Sequence, residues 1–316
     1  MQIYTENVYI CKLHFFSFIN VIALYSIGME IIKKEQNKWN NFFIDLRKQG
    51  KHTFTFDEVR KNFNLSEQSI SQELYRYSVK KQIIIIRKGF YGILTPETEI
   101  GGMLPPDMFV DALMKSLDKP YYVALFSAAA LHGAAHQQPM VYFVITQTPS
   151  PRSIRNKKMT LFFVSKKLWE PFAIEKKKTR VGYLNVSSPE LTSIDLIYYS
   201  KKCGLNHVVT VLQELVDVIR PSMLKKVAKT SAEIPVIQRL GYIFDRILNE
   251  EKLAETLYQI LHNKTLSFIP LSTEKKKKGA LDDKWKIIIN TEIDPDFMIP
   301  EYYLRDWNKQ VQWQTT

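Results

Sequence analysis

Phe56-Asp-Glu-Val-Arg-Lys-Asn-Phe63, then Asn64-Leu65-Ser66, a helix from Glu67 to about Lys81, and Ile83-Ile-Ile-Ile-Arg-Lys-Gly-Phe-Tyr-Gly-Ile-Leu94 decide how the chain is read. In the first segment Phe56, Val59 and Phe63 share one face of a short helix. Asn64-Leu65 breaks that helix and Ser66 is a natural N-cap for the next. In the second helix Ile70, Leu74 and Tyr77 form a buried stripe. Gln68, Ser69, Ser71, Gln72 and Arg76 lie off it and, with Ser66, carry the hydrogen-bonding groups that read base edges and phosphates. The last segment is two β-rich runs about an Arg87-Lys88-Gly89 turn, a wing with cations at its tip. Thr53 to Leu94 therefore reads as a winged helix-turn-helix, with double-stranded DNA as the expected partner. A helix-turn-helix used only to dock protein is the alternative.

Outward from this segment, Ile31 to about Gln49 is an amphipathic helix burying Trp39, Phe42, Phe43 and Leu46, the third helix such a domain needs. Residues 29–100 are thus expected to form the DNA-binding domain. Thr95 to Pro106, rich in Pro and Gly, is the linker, and 101–316 form a second domain. Met29 opens Met-Glu-Ile-Ile-Lys-Lys-Glu, an ordinary cytoplasmic start, so residues 1–28 read as an upstream extension. Its apolar run Val8 to Ile27 is interrupted by Lys12, His14 and Asn20, unlike the roughly 20 uninterrupted apolar residues of a membrane span. No membrane association is expected, and a signal peptide is the alternative reading of this run.

At 316 residues the chain is long enough for two cores, and 45% hydrophobic with 24% charged residues is an ordinary globular balance. The net charge of +12 favours a polyanionic partner. Cys11 and Cys203 are far apart and in no metal-ligand spacing, so a reducing cytoplasm is the default compartment.

The second domain opens with helices at Asp107 to Leu117 and Leu125 to about Ala135. β-rich runs follow at Met140 to Thr146, Thr160 to Val164 and Val181 to Val186. Ser187-Ser188-Pro189-Glu190 starts a helix, with a Ser cap, Pro in the first turn and Glu where negative charge is favoured. Asn206 to about His262 stays helical, with breaks at Pro221 and Ser231-Ala232, and Trp285 to Asn290 reads as a late strand. Strands grouped before a helical bundle predict an α+β class: a winged helix-turn-helix plus a larger α+β domain with a small sheet and a bundle.

Three blocks resemble the AbiEi-family antitoxins of type IV toxin–antitoxin systems. They are Tyr121-Tyr-Val-Ala-Leu-Phe-Ser-Ala-Ala-Ala-Leu-His-Gly133, Val186-Ser-Ser-Pro-Glu-Leu-Thr-Ser-Ile-Asp-Leu196 and Arg239-Leu-Gly-Tyr242. The resemblance spans roughly residues 29 to 300. It implies a cytoplasmic protein of phage abortive infection that represses its own promoter through the N-terminal domain. It further implies that the C-terminal domain counteracts a nucleotidyltransferase-type toxin of the AbiEii kind, without a stable complex in the usual type IV scheme. A winged-helix regulator whose second domain senses a ligand or oligomerises is the alternative.

Other constellations read blandly. His132 and His136 have helical zinc spacing, but Gly133 stands where a metalloprotease has its glutamate. Glu190 and Asp195 lie five apart, on different helix faces. Asp282-Asp283 and Glu292 to Asp296 read as solvated loop ends, and Glu274-Lys-Lys-Lys-Lys-Gly279 as a mobile loop. No catalytic residue, metal or cofactor is expected. Between Pro149 and Arg180 ten cations face only Glu170 and Glu175, a net +8. Arg152, Arg155, Lys157, Lys158, Lys176, Lys177, Lys178 and Arg180 are the candidate basic surface of the antitoxin domain, with the strands expected to align them on one face.

Overall fold

The computed structural model describes residues 30, 33–34, 36–95, 104–134, 141–155 and 159–293. The 1–28 extension, His136, Lys157, Lys158, residues 294–296 and most of the Pro/Gly-rich segment lie outside them. The chain divides into two compact units that meet in sequence between Leu104 and Pro105.

The first unit begins with helix α1 (36–48), whose Trp39, Phe43 and Leu46 are buried. Strand β1 (Thr53–Thr55) leads directly into α2 (Phe56–Asn62). The junction is a capping box. The Thr55 hydroxyl accepts from the Glu58 amide at 3.1 Å while the Glu58 carboxylate accepts from the Thr55 amide at 2.8 Å. Helix α3 (Glu67–Val79) is capped by Ser66 and buries Ile70, Leu74 and Tyr77, the predicted stripe. Strands β2 (Ile83–Arg87) and β3 (Phe90–Ile93) form a hairpin closed through Gly89, whose φ of +80° suits glycine. Strand β1 pairs with β3, giving the antiparallel order β1-β3-β2. Aromatic packing holds the unit together, with Trp39 stacked on Phe63 at 4.0 Å and Phe54 on Tyr91 at 5.3 Å.

The second unit is mixed α and β, with more sheet than the sequence suggested. After α4 (Val110–Ser116) come β4 (Tyr121–Val123), α5 (Leu125–Leu131), β5 (Val141–Thr146), β6 (Ile154–Arg155), β7 (Thr160–Ser165), β8 (Ile174–Thr179) and β9 (Gly182–Ser187). They form one six-stranded sheet of order β6-β7-β5-β4-β9-β8, with β4/β9 and β5/β7 parallel. Strands β4 and β8 were missed for different reasons. Tyr121–Val123 is too short to show periodicity, and Ile174–Thr179 reads Ile-Glu-Lys-Lys-Lys-Thr, a charged strand suited to a sheet edge.

Helices α6 (Pro189–Tyr198), α7 (Ser200–Cys203), α8 (Leu205–Leu215), α9 (Pro221–Ser231), α10 (Ile234–Tyr242) and α11 (Glu251–Leu261) follow. Their Leu191, Ile194, Leu212, Leu240 and Leu257 share a core with Tyr122, Phe143, Ile145 and Val164 of the sheet. Ser188 caps α6 as the sequence predicts, accepting from the Leu191 amide at 3.3 Å.

A second, three-stranded sheet joins β10 (Ile269–Pro270), β11 (Ala280–Asp282) and β12 (Ile287–Ile289) in the order β10-β12-β11. The loop before β11 is docked, contrary to the sequence reading. A Cβ on Gly279 would stand 1.9 Å from the Ile289 carbonyl oxygen, and the Asn290 side chain donates from Nδ2 to the Lys276 carbonyl at 3.2 Å. Asp282 also departs from expectation. Its carboxylate accepts from the Trp285 amide at 2.8 Å and from Arg246 Nε at 3.0 Å, so it anchors a turn.

Candidate functional site

The α3 face opposite the buried stripe presents Gln68, Gln72, Tyr75, Arg76 and Val79, all exposed. Their spacing keeps them within one strip of the helix surface. The expected readers differ in what they have left to offer. Ser66 and Ser69 share a hydroxyl–hydroxyl hydrogen bond at 2.9 Å, and Ser71 Oγ donates to the Glu67 carbonyl at 2.8 Å. These hydroxyls serve the helix itself. Arg76 is paired with Glu73 one turn earlier. The amides of Gln68 and Gln72 make no hydrogen bond among the described residues. Tyr75 and Val79 were missed by the sequence reading, yet they are 65% and 64% exposed. At the hairpin, Arg87 is half-buried and Lys88 exposed. Residues 30–95 carry thirteen cations against seven carboxylates, a net +6.

In the second unit the first two sequence blocks meet at the top of the sheet, where β4 runs into α5 and β9 into α6. Ser127 Oγ accepts from the Phe143 amide at 2.9 Å, tying α5 to β5. Ser187 and Thr192 share a hydroxyl–hydroxyl hydrogen bond at 2.7 Å. His132, at the end of α5, donates from Nε2 to the Ser187 carbonyl at 2.7 Å. Burial holds this imidazole below its ordinary pKa. His132 therefore links the two blocks, and no group of three or more His, Cys, Asp or Glu among the described residues could hold a metal.

The structure revises the reading of both carboxylates in the second block. Glu190 is wholly buried, and its Oε1 accepts from the Arg220 amide at 3.0 Å and from Arg220 Nε at 3.2 Å. Asp195, 1% exposed, accepts from the Tyr122 hydroxyl at 2.9 Å and from Lys166 Nζ at 2.8 Å. Burial, reinforced by Asp195, pushes the Tyr122 phenol far above its ordinary range. Asp195 thus ties the first block to the second and also to Lys166, the residue that follows β7. Only partner residues far away in sequence reveal that role, so no local signal could have found it. The third block is steric. A Cβ on Gly241 would lie 2.0 Å from Cζ3 of Trp285, which is wholly buried and donates from Nε1 to Asp245 at 2.8 Å. Arg239 Nε donates to the Pro270 carbonyl at 3.0 Å.

The basic block is not one surface, which corrects the expectation of a single aligned face. Arg155 lies on β6 and Lys176, Lys177 and Lys178 on β8, at opposite edges of the sheet. Five strand spacings separate those edges, roughly 24 Å. Within β8 the lysines also alternate, as a strand requires. Lys176 and Lys178 are exposed, with Tyr183 directly opposite Lys178. Lys177 turns the other way and donates to the Leu131 carbonyl at 3.1 Å. Arg152, Arg155 and Arg180 are exposed.

Residues 122–246 match the family model of the AbiEi antitoxin C-terminal domain, as the three blocks implied. That segment is similar to an antitoxin domain of this family. No curated protein matches the chain. Among solved structures, the RV2827C protein from Mycobacterium tuberculosis is similar in fold, with a TM-score of 0.58 and 13% identity. The match covers 79% of this chain and 90% of that one. No helix among the described residues is long and apolar enough to cross a membrane.

Proposed function

We propose that this chain, whose residues 122–246 are similar to an AbiEi antitoxin domain, is a two-part antitoxin of a type IV toxin–antitoxin system. The matched domain supports the antitoxin role. The further reading is that the first unit is a winged helix-turn-helix that binds operator DNA in the chain's own promoter and represses it. The second unit counteracts a nucleotidyltransferase-type toxin in the cytoplasm.

The observation that carries the DNA-binding part is the exposed strip of α3 together with a cationic hairpin turn, within residues 30–95 of net charge +6. In this reading α3 enters the major groove, where base pairs display distinct donor and acceptor patterns. Arg87 and Lys88 meet the flanking backbone, and Ser66, Ser69 and Ser71 set the helix rather than read bases. Arg152 and Arg155 form one candidate basic patch of the antitoxin domain, and Lys176, Lys178 and Arg180 another.

The test is a gel shift and a reporter assay with the chain's own promoter. Binding that weakens steeply with salt, together with repression lost in a Gln68→Ala/Gln72→Ala variant, is the expected result. A promoter neither bound nor repressed would remove the autorepressor reading and leave the antitoxin reading to its own test.

A further inference from the structure

We infer that α3 is built to read A·T base pairs, through adenine edges and thymine methyl groups, rather than guanine. This deepens the DNA-binding reading above and rests on it. Arg reads guanine best, by a bidentate contact to O6 and N7. The single arginine on the exposed strip, Arg76, is held by Glu73, whose carboxylate also sets a negative charge beside that position. The serine hydroxyls of the first turns are occupied within the helix. On this strip, among the described residues, the side chains outside an ion pair are Gln68, Gln72, Tyr75 and Val79.

Gln68 and Gln72 each offer one amide donor and one acceptor, the pair that matches adenine N7 and N6. Tyr75 and Val79 offer exposed apolar surface, 65% and 64% accessible, on the same strip. Apolar contact is how a protein recognises the thymine C5-methyl. Their chemistry also makes sense of an otherwise costly arrangement, since a valine and a tyrosine stand in water beside two glutamines. From Gln68 to Val79 the helix rises about 16 Å at ~1.5 Å per residue. That length parallels about five base-pair steps of ~3.4 Å. The occupant is therefore the major groove of a short A·T-rich half-site, drawn in by the net positive charge of the unit.

The experiment uses the full chain and a duplex of its own promoter, footprinted to locate the protected bases. Within the footprint, thymines are replaced by deoxyuridine, which deletes only the methyl, and adenines by 7-deaza-deoxyadenosine, which deletes only N7. Each replacement at a contacted position lowers affinity about fivefold or more. Tyr75→Ala weakens binding to the thymine duplex and abolishes its preference over the deoxyuridine duplex. Gln72→Ala does the same for the 7-deaza-adenine probe. Modifying the DNA leaves the protein intact, so misfolding cannot imitate the result. Binding that is indifferent to both probes, but lost with 7-deaza-guanine, overturns this inference and leaves DNA binding standing. A promoter fragment that is not bound at all overturns both.

Discussion

Replacing Asp195 by alanine is expected to unseat the fold of the antitoxin domain while sparing the first unit. The carboxylate is 1% exposed and serves two partners, Lys166 Nζ at 2.8 Å and the Tyr122 hydroxyl at 2.9 Å. Breaking a buried ion pair by removing one partner costs about 3–5 kcal/mol. The Lys166 side chain is 18% exposed and can reach water, which puts this site at the lower end of that range. Tyr122 is wholly buried and would lose its acceptor, a further cost of about 1–3 kcal/mol. A net loss of about 4 kcal/mol follows. For a unit of this size each kcal/mol moves the midpoint by about 2–4 °C, so the shift is about 8–16 °C. Calorimetry of the full chain measures it, because two units can melt as two transitions. Asp195→Asn keeps an acceptor for Tyr122 and should lose less. Lys166→Met combined with Asp195→Ala should lose less than the two single variants summed, because the pair is one interaction. A drop under about 3 °C for Asp195→Ala, or strict additivity with Lys166→Met, would refute the reasoning.

His207 stacks on Phe126 at 3.9 Å, and burial pulls its pKa down to about 4 from an ordinary 6.5. The unfolded chain then binds this proton more readily, so stability is intact above pH 6.5 and falls as pH drops towards about 4. Urea titrations of a His207→Leu variant should show a flatter stability profile across that window, and an unchanged slope would count against it. Gly241→Ala drives a methyl into Trp285 and should cost about 2 kcal/mol or more, read as a lower midpoint with blue-shifted or quenched tryptophan fluorescence altered in the native state. A neutral result would mean that α10 shifts freely. Lys88→Ala should weaken promoter binding for all sequences alike and reduce the salt slope by about 0.9, as expected for one lost phosphate contact. Unchanged salt dependence would take Lys88 off the DNA.

The first unit was largely legible because its signals are local. The Ile70-Leu74-Tyr77 stripe, the Ser66 cap and the Arg87-Lys88-Gly89 turn all act within a few residues, and each lies where the spacing placed it. Even the Thr55–Glu58 capping box has a readable Thr-x-x-Glu signature, though it passed unnoticed. What was not legible was long-range. Sequence shows the charge of Lys166 and Asp195, but only the sheet brings them within 2.8 Å. A run of ten cations suggests one surface until strand order sends Arg155 to one edge and Lys178 to the other. Gly279 looked like slack in a lysine-rich loop and proved to be the point where backbone meets backbone. Exposure was equally hidden, since nothing local shows that Tyr75 stays in solvent while Tyr77 is buried.

The division of labour is tested most directly by growth rescue. The chain is co-expressed with the proposed antagonist, a nucleotidyltransferase-type toxin, as wild type and as the Gln68→Ala/Gln72→Ala variant. The account predicts that both restore growth, while only the wild type represses the promoter reporter. Failure of the wild type to restore growth, with the toxin active and the chain expressed, would contradict it.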